Sequence, residues 1–394
     1  LAIFAAPKTK TEIKTKEGAI RVLFLGHESE HHNSNKYYPM LAKGLGRDAI
    51  YFDYVTSVEE ALGDATFLGK FDALLLYANH GTITPNQWKN LRDYVEGGGG
   101  FVPVHCASWC FGNEPAFDQL VGGRFDSHKV GTFTSKVVDP QHPAMEGVKE
   151  FEAWDETYKH KNHNEKDRQV LMVREVAGKD DNITEPEPWT WVRTQGKGRV
   201  FYTASGHDER VWKQPAFHQL LKAGILWSVG KERKQSYEEF IAERAPLKYE
   251  KRGDIANYEN RPEPLPYQFP LKAEDSMKYT QAPVGFRLEL FASEPDIINP
   301  IGLAWDERGR LWAAETVDYP NEMTPDRVGN DKIKILEDTD GDGKCDKVTV
   351  FADGLNIPTS LTFSRGGIIV AHVPDFLFLK DTDGDDKADV REVL

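Results

Sequence analysis

The feature that most constrains the fold is an alternation of apolar runs with amphipathic segments over residues 20–230. The apolar runs are continuously hydrophobic, as in segments 19–26 (AIRVLFLG) and 71–79 (FDALLLYAN). Strands of this kind are buried on both faces, which is typical of a parallel sheet covered by helices. Segment 84–100 (TPNQWKNLRDYVEGGGG) predicts one such helix, because Thr84 can cap its start and glycines follow its end. We therefore predict an α/β domain built on a doubly wound parallel sheet.

Histidines occur where the predicted strands of this domain end. They are His27, His80, His105 and His207. Because the carboxyl ends of parallel strands meet at one edge of a sheet, where such folds bind ligands, we expect these imidazoles to line one cleft. Neutral imidazole suits acid/base catalysis near neutral pH and also binds divalent metals, so both uses of the pocket stay open.

Cys106, also at a strand end, raises a different hypothesis. A strand-end cysteine, with His207 and Glu209 about a hundred residues later, resembles the class I glutamine amidotransferases. In that family a nucleophilic cysteine pairs with a histidine that a glutamate orients. The sharp turn there is flanked by glycines, whereas the flanks here are His105 and Ala107. We therefore favour His105 as a pocket residue over Cys106 as a nucleophile.

Several longer motifs occur in order between residues 20 and 230: GHESEHHNSNKYYPMLAKGL, VEGGGGFVPVHCASWCFG, LVGGRFDSHKVGTF, FEAWDETYKHKNH and PWTWVRTQGKGRVFYTASGHDERVW. Together they resemble the ThuA (trehalose utilisation) family, which has the amidotransferase-like fold without its standard nucleophile motif. The resemblance implies a flavodoxin-like, amidotransferase-like sheet. It also implies a role in carbohydrate metabolism, with 3-keto-disaccharides as the usual association.

The strand ends and this resemblance together give two groups of site residues. The expected catalytic residues are His27, His105, Glu156 and His207, and the expected ligand-binding residues are His32, His80, His128, Tyr158 and Asp208. The expected function is acid/base catalysis on an oxidised sugar of the 3-keto-glycoside type. Glu156 or a histidine would remove a proton next to the carbonyl, while imidazoles or a bound divalent metal polarise its oxygen. The alternative is a non-catalytic glycan-binding or scaffolding module of a larger sugar dehydrogenase.

Composition limits the partners and the location. A net charge of −14 argues against nucleic acid, and no run approaches the roughly 20 apolar residues of a membrane span. The three cysteines, Cys106, Cys110 and Cys345, form no disulfide framework. LAIFAAP at the start resembles the end of a signal peptide. We therefore predict a leader and arm over residues 1–19 and an exported protein, periplasmic or at the cell surface.

The pattern changes after the α/β domain. Residues 231–280 are charged and proline-rich, which predicts a helix followed by an extended linker. Short strands between Gly and Asp turns follow, and segment 334–351 is echoed 43 residues later at 377–394. About 40–50 residues per four-stranded unit is the period of a β-propeller. We predict a partial propeller over 281–394, with further blades expected beyond Leu394.

Two segments of this region, NPIGLAWDERGRLWAAET and DKIKILEDTDGDGKCDKVTVFADGLNIPTSL, carry a second resemblance. They resemble the start of the propeller domain in membrane-bound dehydrogenases of planctomycete and verrucomicrobia-type bacteria. The resemblance implies a quinoprotein- or haem-linked dehydrogenase, or a cytochrome, as a partner. The sequence contains no CxxCH haem motif.

Two acidic loops predict structural calcium. Carboxylates recur at positions 1, 3, 5 and 9 of a calcium loop, and Lys344 would add a backbone carbonyl. The residues are Asp338, Asp340, Asp342 and Asp346 in the first loop and Asp381, Asp383, Asp385 and Asp389 in the second. Position 12 of the first loop is Thr349, so this is not an EF-hand. An acidic hairpin turn without metal is the open alternative.

Overall fold

The computed structural model describes residues 18–177, 181–255, 257, 260–262, 265–319 and 323–394. Of the predicted leader and arm over residues 1–19, all but Gly18 and Ala19 lie outside the described residues. The chain divides into two compact units. The first unit comprises Leu1–Pro246 with Pro283–Gly285, and the second comprises Leu247–Ala282 with Phe286–Leu394.

The first unit alternates strands and helices along the chain. Its strands are β1 (Ile20–Leu25), β2 (Ile50–Val55), β3 (Ala73–Leu76), β4 (Gly100–Pro103), β5 (Arg124–Ser127), β6 (Val130–Thr134), β7 (Lys136–Val137), β8 (Glu152–Glu156), β9 (Lys159–Lys161), β10 (Arg168–Arg174), β11 (Glu187–Gln195) and β12 (Gly198–Thr203). Its helices are α1 (Ser34–Gly46), α2 (Val58–Leu62), α3 (Ala65–Leu68), α4 (Pro85–Glu96), α5 (Pro115–Val121), α6 (Glu209–Trp212), α7 (Pro215–Ser228) and α8 (Lys231–Ala242), with short 3₁₀ helices at His105–Trp109 and Pro143–Met145.

Within the described residues, the main sheet has the strand order β2-β1-β3-β4-β12-β11-β10-β7. Each pair of neighbouring strands from β2 to β12 is parallel, and the order of these five strands is that of a flavodoxin-like sheet. The predicted doubly wound α/β fold is therefore confirmed. Strands β11, β10 and β7 extend the sheet in antiparallel fashion, and the sequence analysis did not predict this extension.

The central strands of the main sheet lie in the core of the first unit. Every residue of β3 and β4 is buried, as the apolar runs predicted. Helix α4 begins at a capping box in which Thr84 Oγ1 accepts from the Gln87 N–H and Gln87 Oε1 accepts from the Thr84 N–H. A cap of this type stabilises a helix by about 1 kcal/mol. The predicted helix start at Thr84 is thus confirmed.

Two small antiparallel sheets lie outside the main sheet. β5 pairs with β9, and β6 pairs with β8, which sets Glu156 opposite Val130. His128 follows β5 directly, two residues before β6 begins. Glu156 and His128 therefore come from the insertion between β4 and β12 and not from the parallel strands.

Helix α8 begins the segment that the sequence grouped with the linker, and it belongs to the first unit. Its Arg233 forms an ion pair of 2.8 Å with the buried Asp72 and donates to the carbonyl of Ala19 at 2.7 Å. In the part of the chain that the structure describes, no helix is long and apolar enough to cross a membrane.

The second unit is dominated by antiparallel strands. Its elements are β13 (Tyr249–Glu250), β14 (Tyr267–Gln268), α9 (Ala273–Met277), β15 (Pro300–Trp305), β16 (Leu311–Glu315), β17 (Asp331–Glu337), β18 (Lys347–Leu355), β19 (Pro358–Ser364), β20 (Gly367–His372), β21 (Asp375–Lys380) and β22 (Val390–Val393).

These strands form two four-stranded sheets in the described part of the second unit, β15-β16-β17-β18 and β19-β20-β21-β22. The sheets share a core that includes Trp312, Phe351 and Leu379. Each acidic loop joins the third strand of its sheet to the fourth, so the 43-residue repeat corresponds to one sheet. The all-β prediction is confirmed for this part. The sheets have the size of propeller blades but form no closed propeller among the described residues, so a propeller stays a prediction.

Candidate active site

The site is built around the carboxylate of Glu156, the last residue of β8, which is 4% exposed. Among the described residues, four imidazoles lie within 3.5 Å of this carboxylate. The nitrogen–oxygen distances are 3.4 Å for His32, 3.1 Å for His105, 3.5 Å for His128 and 3.3 Å for His207. The first two approach Oε2 and the last two approach Oε1. The structure thus brings together five of the residues that the sequence assigned to the site.

Two of these imidazoles are fixed by hydrogen bonds on the side away from Glu156. Nδ1 of His105 lies 2.6 Å from the carbonyl oxygen of Ala204, and Nδ1 of His32 lies 2.9 Å from Oδ1 of Asn79. A carbonyl oxygen only accepts, so each Nδ1 carries the proton and donates it. In the neutral rings, the lone pairs of both Nε2 atoms therefore face Glu156.

His105 occupies a strained turn. It follows β4 and has φ of 48°, a left-handed conformation that is unfavourable for a residue with a side chain. A strained strand-to-helix turn is how α/β hydrolases expose their nucleophile. Gly206 leaves room for the ring, since a Cβ there would lie 3.2 Å from the Cβ of His105. In this sheet the residue at the strained turn after β4, which we call the elbow, is therefore a histidine.

The loop after β12 presents His207 and is held from two sides. Asp155 accepts hydrogen bonds from the backbone N–H groups of Gly206 at 3.0 Å and His207 at 3.1 Å. The carbonyl of Gly206 accepts from the hydroxyl of Tyr77 at 2.7 Å and from the indole N–H of Trp212 at 2.8 Å. Asp155, Tyr77 and Trp212 are buried, so the position of His207 is set by the core of the unit.

Burial and charge set different protonation states around the carboxylate. Burial by itself raises the pKa of Glu156, but the neighbouring imidazoles of His105, His207 and His32 outweigh it and hold this pKa well below its usual range. Burial lowers the pKa of His105 to about 3, against the opposing effect of the nearby Glu156 carboxylate. For His207, burial lowers the pKa, but the contact with Glu156 outweighs burial and raises it overall. An ionised carboxylate therefore sits beside one neutral imidazole and one that protonates more readily.

His27 and His80, predicted at strand ends, do not face Glu156. Nε2 of His27 donates to the carbonyl of His32 at 2.9 Å, and Nδ1 of His27 accepts from the N–H of Asn79 at 3.2 Å. Nε2 of His80 donates to the carbonyl directly after β1 at 2.9 Å. Both imidazoles bind backbone groups, so in this structure they position the loops that carry His32 and Asn79.

Tyr158 and Asp208 lie beside the site. The buried ring of Tyr158 stacks on His105, with centroids 4.2 Å apart and an angle of 22° between the planes. Asp208 caps α6 and forms an ion pair with Arg210, whose guanidinium lies 3.4 Å from the ring centroid of Trp154. Tyr158 therefore supports His105, whereas the carboxylate of Asp208 already has partners in its own helix.

Cys106 and Cys110 are fully buried free thiols. Burial raises the pKa of Cys106 well above its usual range and that of Cys110 to about 12. The Cys110 thiol donates to the carbonyl of Ala78 at 3.0 Å. A thiol is reactive as the thiolate, so this environment favours core packing for both cysteines.

Asn79 and Asp155 also fix the orientation of the site, and neither was among the predicted site residues. Each is the direct neighbour of a selected residue, His80 and Glu156 respectively. Adjacent side chains at a strand end point to different sides, so selecting the histidine at position 80 passed over the residue that contacts His32. A search for a buried partner of each predicted imidazole is the signal that would have found Asn79.

The acidic loops of the second unit fold around their own carboxylates. Asp338 accepts from the N–H groups of Gly341 at 2.7 Å and Gly343 at 2.8 Å. Oxygens within 4.8 Å of one another are offered by Asp338, Asp340 and Asp346 in the first loop and by Asp381, Asp383 and Asp385 in the second. The remaining predicted ligands lie outside these groups. Asp342 accepts from the N–H of Lys344 at 2.8 Å, and Asp389 accepts from the hydroxyl of Thr382 at 2.9 Å.

The fold and the site together define an amidotransferase-like α/β protein whose elbow presents a histidine to a buried glutamate. The chain belongs to the ThuA family, described as trehalose utilisation, since the model of that family matches residues 21–228, more than half of the chain. This places the first unit in a carbohydrate-related family. Residues 272–394 match DUF7133, a domain of unknown function. No curated protein matches the chain.

Solved structures of similar fold include two ThuA-like proteins. One, from Parabacteroides merdae, has 19% identity and a TM-score of 0.47, with 54% of this chain and 90% of that chain covered. The other, from Bacteroides uniformis, has 20% identity and a TM-score of 0.45, with coverage of 57% and 95%. A β-galactosidase from Bacillus circulans sp. alkalophilus matches at 15% identity and a TM-score of 0.38, with coverage of 54% and 31%.

Proposed function

We propose that the first unit is an acid/base enzyme acting on an oxidised sugar of the 3-keto-glycoside type. The observation that carries the proposal is the buried Glu156 carboxylate surrounded by imidazoles, beside a strained elbow that presents His105. In the proposed reaction the substrate displaces the imidazoles that hold the pKa of Glu156 down, so the carboxylate can act as general base, and an imidazole that protonates readily is the general acid. Membership of a carbohydrate-related family supports a sugar as the substrate.

The chemistry follows from the ketone. Glu156 takes the proton from C2, next to the C3 carbonyl, and the bonding electrons form an enolate. Imidazole N–H groups, of which His128 and His207 are the most accessible, donate to the enolate oxygen. The electrons then return to form the C1–C2 double bond as the C1–O bond breaks, and the leaving oxygen takes a proton from an imidazolium such as His207. No thiolate takes part in any of these steps.

The test is turnover of defined substrates by the purified full chain. A panel would contain 3-keto-trehalose and aryl 3-keto-glucosides, with the unoxidised sugars as matched controls. Release of the aglycone from the keto-sugars alone is the expected result. Saturable sugar binding without turnover would instead support the glycan-binding or scaffolding module of a larger dehydrogenase.

Calcium in the acidic loops would fit an exported protein, because weak calcium sites function at extracellular concentrations.

Cys106→Ser is expected to keep most of the turnover, within about threefold of the unmodified chain, because the thiol is buried and the proposed steps need no thiolate. The measurement is kcat/KM on an aryl 3-keto-glucoside. Cys110→Ser, at a second buried thiol directly after the same 3₁₀ helix, is the matched control. A Cys106→Ser protein that is folded but inactive, beside an active Cys110→Ser protein, would favour an amidotransferase-like mechanism.

A second proposal concerns the second unit, where each acidic loop would bind one calcium ion. The specific observation is that oxygens of Asp338, Asp340 and Asp346, which would repel one another, lie within 4.8 Å of one another. The same holds for Asp381, Asp383 and Asp385. Each loop joins neighbouring strands of its sheet, so a cation would brace the turn between them.

Calcium is therefore expected to stabilise the second unit selectively. For sites with Kd of about 10⁻⁴–10⁻³ M, 10 mM calcium adds roughly 1.4–2.7 kcal/mol per loop. The measurement is calorimetric unfolding of the full chain in calcium and in EGTA. The midpoint temperature of the second unit's unfolding transition should be higher in calcium than in EGTA, and that of the first unit should be the same in both. Asp340→Asn should remove part of the shift, while Asp353→Asn, an exposed aspartate on β18, should not. Superimposable traces in calcium and EGTA would reduce the loops to acidic turns.

A further inference from the structure

We propose that His32, His105, His207 and Glu156 bind one divalent transition-metal ion through three imidazole nitrogens and one carboxylate oxygen. Their ligand atoms all lie within 4.8 Å of one another. Imidazole suits zinc and its first-row neighbours, and a single carboxylate commonly completes such a set. Binding of the ion is argued from geometry alone, whereas its role in turnover rests on the function proposed above.

The distances within this group are those of ligands on a common ion. Ligands about 2.1 Å from a metal in a tetrahedron lie about 3.4 Å from each other. The nitrogens of His32, His105 and His207 lie 3.4, 3.1 and 3.3 Å from the nearer oxygens of Glu156. The fold therefore already gathers three imidazole nitrogens around one carboxylate.

The direction of the lone pairs gives an independent reason. His105 and His32 donate their Nδ1 protons to Ala204 and Asn79, so both Nε2 lone pairs point at the lone pairs of Glu156. Acceptors that face acceptors repel one another unless a positive charge lies between them. A metal ion removes this conflict for both imidazoles at once, whereas a single proton could serve only one of them.

The surroundings also have the form of a metal site. Histidine ligands commonly donate their second ring N–H to a carbonyl or carboxylate, which fixes the ring, and Ala204 and Asn79 do this here. Nδ1 of His207 is buried and has no hydrogen-bond partner among the described residues, although Oε1 of Glu156 lies 3.3 Å away. The approach is close but poorly aligned for a hydrogen bond. It leaves this nitrogen available as a ligand.

The site is accessible from one side. The side chain of His207 is 18% exposed and that of His128 is 38% exposed, whereas His105 is fully buried. A ketone oxygen could therefore approach an ion from the side of His128. An ion in this position would polarise that oxygen as a Lewis acid, and with Glu156 and His207 bound to the ion, proton abstraction would fall to a group outside its ligands, such as His128.

The experiment uses the full chain, stripped with chelator and titrated with Co²⁺ or Zn²⁺ in excess calcium, which saturates the acidic loops. We expect one equivalent bound and a visible Co²⁺ spectrum with imidazole ligation. Losing a group that orients a ligand typically weakens metal binding by about 10–100-fold, so losing a ligand itself should cost at least that much. His207→Ala, at a partly exposed position, should therefore weaken binding by about 100-fold or more.

His163→Ala, at an exposed histidine of the same unit, is the matched control and should bind like the unmodified chain. Circular dichroism of each variant verifies the fold. Absence of a Co²⁺ spectrum in the unmodified chain, or equal affinities for the chain and His207→Ala, would overturn the metal site. Metal bound as expected without turnover of any keto-sugar would support the metal site and count against the enzyme. Turnover of a keto-sugar by the stripped chain, with no metal bound on titration, would support the enzyme and count against the metal site.

Discussion

Replacing Glu156 by Gln lowers kcat/KM on a 3-keto-glycoside by about two to four powers of ten, the usual scale for a general base. The reason is that Gln keeps the shape of the side chain but cannot accept the substrate proton. His105→Ala should fall in the same range, since it removes the imidazole 3.1 Å from that carboxylate. Both are measured with the full chain on an aryl 3-keto-glucoside.

Glu152→Gln is the matched control for this experiment. It makes the same chemical change on the same strand, at an exposed position, and should leave kcat/KM within about twofold. Unfolding transitions of all three variants separate a lost base from a lost fold. If Glu156→Gln were folded and as active as Glu152→Gln, the carboxylate would not be the base.

Trp212→Ala should destabilise the first unit by about 3–5 kcal/mol, the usual cost of deleting a buried aromatic side chain. Trp212 is 0% exposed, stacks on Tyr37 with centroids 5.6 Å apart, and packs edge-on against Tyr77 at 4.8 Å. Its indole N–H also donates to the carbonyl of Gly206, next to His207. Trp212→Ala should therefore both lower the stability of the first unit and disturb the position of His207.

The measurement is calorimetric unfolding of the full chain, read on the transition of the first unit. Trp109→Ala, the same substitution at a side chain that is 41% exposed, should change stability by less than about 1 kcal/mol. If Trp212→Ala and Trp109→Ala changed the stability of the first unit equally, the packing around Trp212 would contribute little to that stability. The transition of the second unit serves as an internal reference.

The parallel part of the fold could be predicted because each central strand is apolar along its whole length. The antiparallel extension could not, since β10 and β11 mix charged and apolar residues in a pattern that no period resolves. β7 is only two residues long, too short for any pattern. Tertiary pairing with neighbouring strands decides such segments, and local propensity does not.

The site was predicted in part for a comparable reason. The position at a strand end fixes which edge of the sheet a residue reaches, which was sufficient for His105 and His207. It does not fix which way the ring turns, and His27 turns to the backbone groups of His32 in its own loop and of Asn79 after β3. Glu156 lies on β8, outside the main sheet, so only the family resemblance indicated it. Asn79 acts through its side-chain oxygen on His32, a contact between distant segments that spacing along the chain does not encode.

The left-handed turn at the end of β4 has a consequence for how function is transferred between chains of this architecture. The reactive position there is defined by a backbone dihedral, and in this chain the cysteine falls one residue after it, inside the core. An alignment that pairs cysteine with cysteine would therefore assign thiol chemistry to a side chain that is fully buried here. The φ angle at this turn, and not the identity of the neighbouring residue, identifies the side chain that the turn presents in this chain.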